Sequence, residues 1–256
     1  MNKMELVQLI RECINEEISK FKGNTIRLTE GGNVFKNADN TPATTRINKE
    51  DVLPTIKWLE SITGLPLVNN TLGSTGIAAQ SGDLDLAVDV NKISKQELET
   101  ILKQWTAKNG LDHRLFIKKT GDSVHFKTPI VGKTGEYVQT DFMFSDNLEF
   151  TKWRMRGTSP TSKYKAQHRN ILISSIATSL GLKWSYFNGL VSRESGKVIT
   201  DNPDEIAEIL LGPGHTDKDL ISVESVLDAI KDLPNRDKLI ADAKETLSRL
   251  YNVNIE

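Results

Sequence analysis

The stretch that most constrains this chain is Leu72-Gly73-Ser74-Thr75-Gly76-Ile77-Ala78-Ala79-Gln80-Ser81-Gly82-Asp83-Leu84-Asp85-Leu86-Ala87-Val88-Asp89. Its second half alternates acid and apolar residue with the period of two that belongs to a β-strand. Leu84, Leu86 and Val88 therefore enter a core while Asp83 and Asp85 project together from the opposite face. Two such carboxylates repel. A divalent cation between them removes that cost, because hard carboxylate oxygens suit Mg²⁺, which in turn bridges protein carboxylates to substrate phosphates. Just upstream, Gly73 permits close backbone approach, and the Ser74 hydroxyl with neighbouring N–H groups suits phosphate oxygens. An Asp-Leu-Asp strand alone is commonly a solvated face, and Gly-Ser alone a turn. In this order and at this spacing they point to a joint metal and phosphate site.

The surrounding pattern is α+β. Short β-favouring runs at Leu65 to Asn69, Asp83 to Val90, His113 to Lys119, Ser123 to Ile130 and Tyr137 to Phe144 predict one mixed sheet. A helix from about Ser94 to Ala107 separates the second run from the third, and Thr120-Gly121-Asp122-Ser123 has hairpin-turn composition. Ahead of the sheet, Leu6, Val7, Ile10, Cys13, Ile14, Ile18 and Phe21 fall at helical spacing over 4–22. A polar, Gly- and Pro-containing loop follows from Gly31 to Arg46, and a second helix runs from about Asn48 to Ile62, ended by Gly64 and Pro66. From Lys163 the period is helical again, with Leu172, Ile176 and Leu180 on one stripe and Gly181 at the C-cap; further helices are expected at about 203–211, 221–232 and 235–251. The expected division is an N-terminal helical region over 1–64, a mixed-sheet domain over 65–150 and a mainly helical domain over 151–256.

No apolar run approaches the roughly 18 to 20 residues of a membrane span, and the amino terminus lacks the apolar core of a secretory signal. The simplest expectation is a cytoplasmic protein. The one cysteine, Cys13, permits neither an intrachain disulfide nor a cysteine-based zinc site, and its place on an apolar stripe marks it as a buried small hydrophobe. His113, His125, His168 and His215 are scattered rather than set at ligand spacing.

A formal charge of −1, from 33 basic and 34 acidic residues, argues against a protein that coats nucleic acid by bulk electrostatics. The charge is nevertheless segregated. Lys152, Arg154, Arg156, Lys163, Lys165 and Arg169 occur between Thr151 and Arg169 without one acid. Lys165 and Arg169 share the stripe of Leu172 and Ile176, which turns them toward the protein body as candidate phosphate contacts. Trp153, Tyr164 and Trp184 near these cations read as packing, with base stacking as the alternative.

Gly73-Ser74, a short spacer and the Asp83/Asp85 pair resemble the signature of the DNA polymerase beta-type nucleotidyltransferase superfamily. The resemblance implies a third acid on a neighbouring strand, and Asp141 inside Tyr137-Val138-Gln139-Thr140-Asp141-Phe142-Met143-Phe144 fits, with Asp146 as competitor. Ser179-Leu180-Gly181-Leu182-Lys183-Trp184-Ser185-Tyr186-Phe187-Asn188-Gly189-Leu190 is similar to the helix, glycine and strand segment that follows the catalytic palm of family X polymerases, and Asp204 to Gly212 continues the likeness. The similarity covers about 65–215 and leaves the first 60 residues unplaced. It implies a nucleotidyltransferase palm in which Asp83, Asp85 and Asp141 are catalytic and hold Mg²⁺ or Mn²⁺. Gly73, Ser74, Gly82, Lys165 and Arg169 would bind the nucleotide. The implied reaction moves a nucleotidyl group from an NTP to an acceptor hydroxyl, a nucleic-acid 3′ end ranking first. A protein or small-molecule acceptor, or an inactive binding or assembly protein, are the alternatives. Two departures stand out. Thr75, Gly76 and Ile77 occupy the stretch where family X polymerases carry a triphosphate-binding arginine, and Leu211-Gly212-Pro213-Gly214-His215 does not continue as a helix-hairpin-helix motif.

Overall fold

The computed structural model describes residues 33–121, 123–156, 162 and 164–251. The expected helix over 4–22 with Cys13, and Lys163 of the basic segment, lie outside them.

A short strand β1 (Ile47–Asn48) leads into helix α1 (Lys49–Thr63), close to the expected 48–62. Val52, Ile56 and Leu59 form its buried stripe, and Gly64 ends it at φ 71° with its N–H donating to the Glu60 carbonyl at 2.8 Å. The run Leu65 to Asn69 is not the expected strand. Val68–Asn70 makes a single 3₁₀ turn, and the N–H groups of Leu67 and Val68 both donate to Glu60 Oε1, at 2.6 and 2.9 Å. Pro66 has no N–H, and with the next two amides taken by Glu60 the segment has no donors left for a ladder at these positions. The chain rejoins the sheet through one antiparallel bridge, Thr71 to Leu86.

A two-residue strand β2 (Gln80–Ser81) pairs with β1. The main sheet consists of β3 (Asp83–Asp89), β4 (Ile117–Thr120), β5 (Ser123–Pro129) and β6 (Tyr137–Ser145) in the order β3-β6-β5-β4. It is mixed: β3 and β6 are parallel and the other pairs antiparallel. Between β3 and β4, helix α2 (Lys95–Lys108) starts at a Ser94/Glu97 capping box, the Glu97 N–H donating to Ser94 Oγ and the Ser94 N–H to Glu97 Oε2. The run expected as a strand from His113 begins instead with a helical turn, α3 (His113–Phe116), because the Asp112 carboxylate accepts the Arg114 N–H and caps it; extended structure starts at Ile117.

One face of the sheet is apolar. Leu84, Leu86, Val124, Phe126, Val138 and Phe142 pack in one core with Val52, Ile56 and Leu59 of α1 and Leu98 and Leu102 of α2. Trp105 sets its ring edge-on to Trp58 and Phe126 at 5.3 and 5.5 Å. Helix α1 thus covers the sheet and shares its core. Phe150 and Trp153 of α4 (Leu148–Arg156), a helix that the sequence pattern does not announce, belong to a second core. That core joins α5 (Ala166–Ser179), α6 (Pro203–Leu211), α7 (Val223–Ala229) and α8 (Arg236–Tyr251). An antiparallel sheet of β7 (Leu182–Ser185), β8 (Gly189–Ser192) and β9 (Val198–Thr200) adjoins α5. Gly181 follows α5 with φ 73°, as expected, although α5 starts at Ala166 rather than Lys163.

The Glu60 carboxylate holds the loop that returns the chain to β3. Glu60→Ala leaves two amides without their acceptor and should lower stability by about 1.5–3 kcal/mol, the range for hydrogen bonds to a charged group. Urea denaturation should show a lower midpoint with an unchanged slope; an unchanged midpoint would mean the 65–71 loop is held by other contacts.

Candidate metal centre

The sheet's other face carries the acids. Parallel register places Asp85 opposite Asp141 and Asp83 opposite Gln139, so three carboxylates converge from two adjacent strands. One oxygen from each of Asp83, Asp85 and Asp141 lies within 4.8 Å of the others. Asp146, the competitor for the third position, is exposed beyond the end of β6 and outside this cluster.

The Gly73-Ser74 loop is locked onto β3. The Leu72 N–H donates to the Asp85 carbonyl at 2.8 Å, and the Asp85 N–H donates to Thr75 Oγ1 at 3.0 Å. Between them Gly73 takes φ 56°, and a Cβ there would stand 2.8 Å from Asp85 Oδ2. Glycine is thus required twice, by its left-handed backbone and by a carboxylate occupying the space of a side chain. The Ser74 carbonyl accepts the N–H groups of Ile77 and Ala78, which closes the spacer into a tight turn, and Ser74 itself is exposed. Gly82 lies next to Arg46, whose Nη2 donates to the Gln80 carbonyl at 3.1 Å.

Asp141 is held at both oxygens. His125, its register partner on β5, meets Oδ1 through Nδ1 at 2.7 Å and faces Thr120 Oγ1 with Nε2. Gln139, two residues earlier on the same face, donates from Nε2 to Oδ2 at 3.1 Å, while its own Oε1 accepts the Val34 N–H at 2.8 Å. Such outer partners orient a carboxylate and fix which lone pairs face the cluster. Gln139 follows from the period of two; His125 depends on strand register, which the sequence does not carry.

The electrostatics are unfavourable as they stand. Burial, then Asp83 and Asp141, hold the Asp85 carboxyl well above its ordinary value. Burial and Asp141 raise Asp83, with Arg46 pulling the other way. Three acids in this state match the donor set of a hard divalent cation, which would remove the mutual repulsion.

The expected cations arrive differently. Arg169 is fully buried on α5, and its guanidinium donates to the carbonyls of Trp153, Arg154 and Ile221 and to Asn170 Oδ1. Trp153 and Arg154 lie in the last turn of α4, so Arg169 caps that helix. Burial pushes its pKa down to about 9. Lys165 is exposed at the N-cap of α5. Trp153, Tyr164 and Trp184 are buried as packing residues. Arg154 of the basic segment sets its Cζ 3.6 Å from the ring centroid of Tyr186, a residue not singled out as a site residue, and Tyr186 feels the charges of both Arg154 and Asp85.

No known protein family and no curated protein matches the chain.

Raised carboxyl pKa values set a pH dependence. A carboxyl raised in the folded state contributes stability below its unfolded value, and that stability is lost as pH rises through the folded value. Metal-free protein should therefore lose stability as pH climbs from the ordinary Asp value of 3.8 through the raised values. Asp85→Asn should melt higher than the parent at neutral pH without metal and show a flatter profile. Differential scanning calorimetry across pH measures both effects. Identical profiles for parent and variant would show that Asp85 is not strained.

Proposed function

We propose that this chain is a metal-dependent nucleotidyltransferase of the polymerase beta type, its mixed sheet serving as the palm. The convergence of Asp83, Asp85 and Asp141 beside a glycine loop fitted to Asp85 carries the reading. In the proposed reaction an acceptor hydroxyl oxygen attacks the α-phosphorus of an NTP. The new O–P bond forms as the bond to the β-phosphate oxygen breaks, pyrophosphate leaves, and the hydroxyl proton passes to a carboxylate of the cluster or to water. Asp83, Asp85 and Asp141 would hold Mg²⁺ or Mn²⁺, which supplies activation of the hydroxyl and neutralisation of the leaving phosphates when bound. His125 and Gln139 keep Asp141 aimed at the cluster, and the 73–78 loop with Ser74 presents donors to the nucleotide.

A nucleic-acid 3′ end is the acceptor we favour. Lys118 on edge strand β4 lies in one row with His125, Asp141 and Asp85 across the sheet, so an exposed cation shares the face of the acids. Lys118 borders a cleft of about 240 Å³ with His113 and Arg114, while Lys103 and Lys119 at that cleft pair with Glu99 of α2 on the sheet's apolar side. A polyanion running along that face toward the centre would find Lys118 in its path.

The direct test incubates the protein with each α-labelled NTP, Mg²⁺ or Mn²⁺, and pools of RNA, DNA and protein. Label should enter a nucleic-acid pool, and Asp83→Asn, Asp85→Asn and Asp141→Asn should each cut transfer by about a hundredfold or more, as expected when charge stabilisation of the transition state is removed. Label confined to the protein pool would reassign the acceptor. Undiminished transfer by the Asn variants would remove the cluster from the chemistry.

A further inference from the structure

One buried charge has no part in the proposed reaction. Arg154, on the last turns of α4, is 3% exposed, and its Nε and Nη1 are buried with no hydrogen-bond acceptor. No carboxylate pairs with it among the described residues. Its neighbours are aromatic instead: Cζ lies 3.6 Å from the Tyr186 ring centroid, 5.4 Å from Phe187 and 5.9 Å from Phe150. Aromatic faces attract a guanidinium, but they do not accept the hydrogen bonds that its N–H groups lose on leaving water. Burial accordingly lowers the Arg154 pKa. Arg169, buried beside it, is by contrast surrounded by carbonyls.

A buried cation left without an anion has a reason to be kept if the anion comes with a ligand. The place suits one. Helix α4 packs against β3, the strand of Asp83 and Asp85, and Tyr186 lies within electrostatic reach of both Arg154 and Asp85. The cover over the guanidinium is slight. Tyr186 belongs to the turn 186–188 between the paired residues Ser185 and Gly189, and Phe187 in that turn is 53% exposed. We propose that Arg154 is the phosphate receptor of this centre, uncovered when the 186–188 turn moves aside, and that its ligand is the polyphosphate of a nucleoside triphosphate. The nucleoside part of that assignment rests on the nucleotidyltransferase reading; the affinity for a polyphosphate does not. It supplies the positive charge that Thr75, Gly76 and Ile77 do not provide after Gly73-Ser74.

The test uses inorganic tripolyphosphate, titrated calorimetrically into the full chain in chelator and again with Mn²⁺, alongside Mn²⁺ alone. The parent should bind tripolyphosphate. Arg154→Met should bind it about ten- to a hundredfold more weakly, the loss expected for charge-assisted hydrogen bonds, with Mn²⁺ affinity unchanged. Without ligand, Arg154→Met should melt no lower than the parent, because an apolar side chain of similar length replaces an uncompensated charge. Should that variant fail to fold, Arg154→Lys decides: it keeps the charge and loses the planar fork, so its tripolyphosphate affinity should also fall. Wild-type affinity in the variant that folds, or no tripolyphosphate binding by the parent in either buffer, overturns the proposal. A parent that binds tripolyphosphate through Arg154 but never binds Mn²⁺ would sink the metal reading and leave this one standing.

Discussion

Parallel pairing of β3 with β6 sets Asp85 directly opposite Asp141, and much of the structure serves that register. The two strands are far apart in the chain, so everything between them must leave the sheet and return. Helix α2 and the β4-β5 hairpin make that excursion, and α1 and α2 cover the apolar face that Leu84, Leu86 and Phe142 present. A one-residue slip of β6 would carry Asp141 into the core and Phe142 out of it, which hydrophobic burial opposes. The same burial that stabilises the sheet thereby forces three carboxylates together on its other face. Gly73 completes the arrangement, because the loop above β3 approaches Asp85 too closely for any Cβ.

Charge is distributed around this centre in an instructive way. The acids are half-buried and repel one another, a state that raises Asp83 and Asp85 above their ordinary ionisation range. The basic segment expected to answer them divides by role. Arg169 is absorbed in capping α4, Lys152 pairs with Glu149 three residues before it, and Lys165 stays on the surface. Arg154 alone is both buried and unpaired among these described cations. Helical periodicity places Arg169 on an inward stripe correctly, but an inward cation meets whatever lies inside, and here that is the carbonyl end of a helix.

Support around Asp141 follows from strand geometry rather than from any motif. Gln139 shares a face with Asp141 because side chains alternate along a strand, and the Val34 N–H fixes the orientation of its amide. His125 reaches the same carboxylate across the hairpin, and Thr120 holds its far nitrogen. Together they leave Asp141 little rotational freedom, so its aim at Asp83 and Asp85 is set by contacts within the protein.

The sequence alone determined the elements whose signals are local. Alternation marked β3, β5 and β6 and put Asp83 and Asp85 on one face; spacing and caps marked α1, α2, α6 and α8. Where a side chain competes for the backbone, reading by β-propensity failed. The Glu60 carboxylate took the amides of Leu67 and Val68, so the expected strand became a 3₁₀ turn. Asp112 turned the start of the His113 to Lys119 run into a helical turn, and α4 carried no periodic stripe strong enough to announce it. Only the tertiary structure decided which acid completes the cluster, that His125 holds it, that Arg169 caps a helix, and that Arg154 is buried beneath Tyr186. Each depends on which residues from remote strands and helices become neighbours, and that is settled by register and packing, for which a linear pattern holds no coordinate.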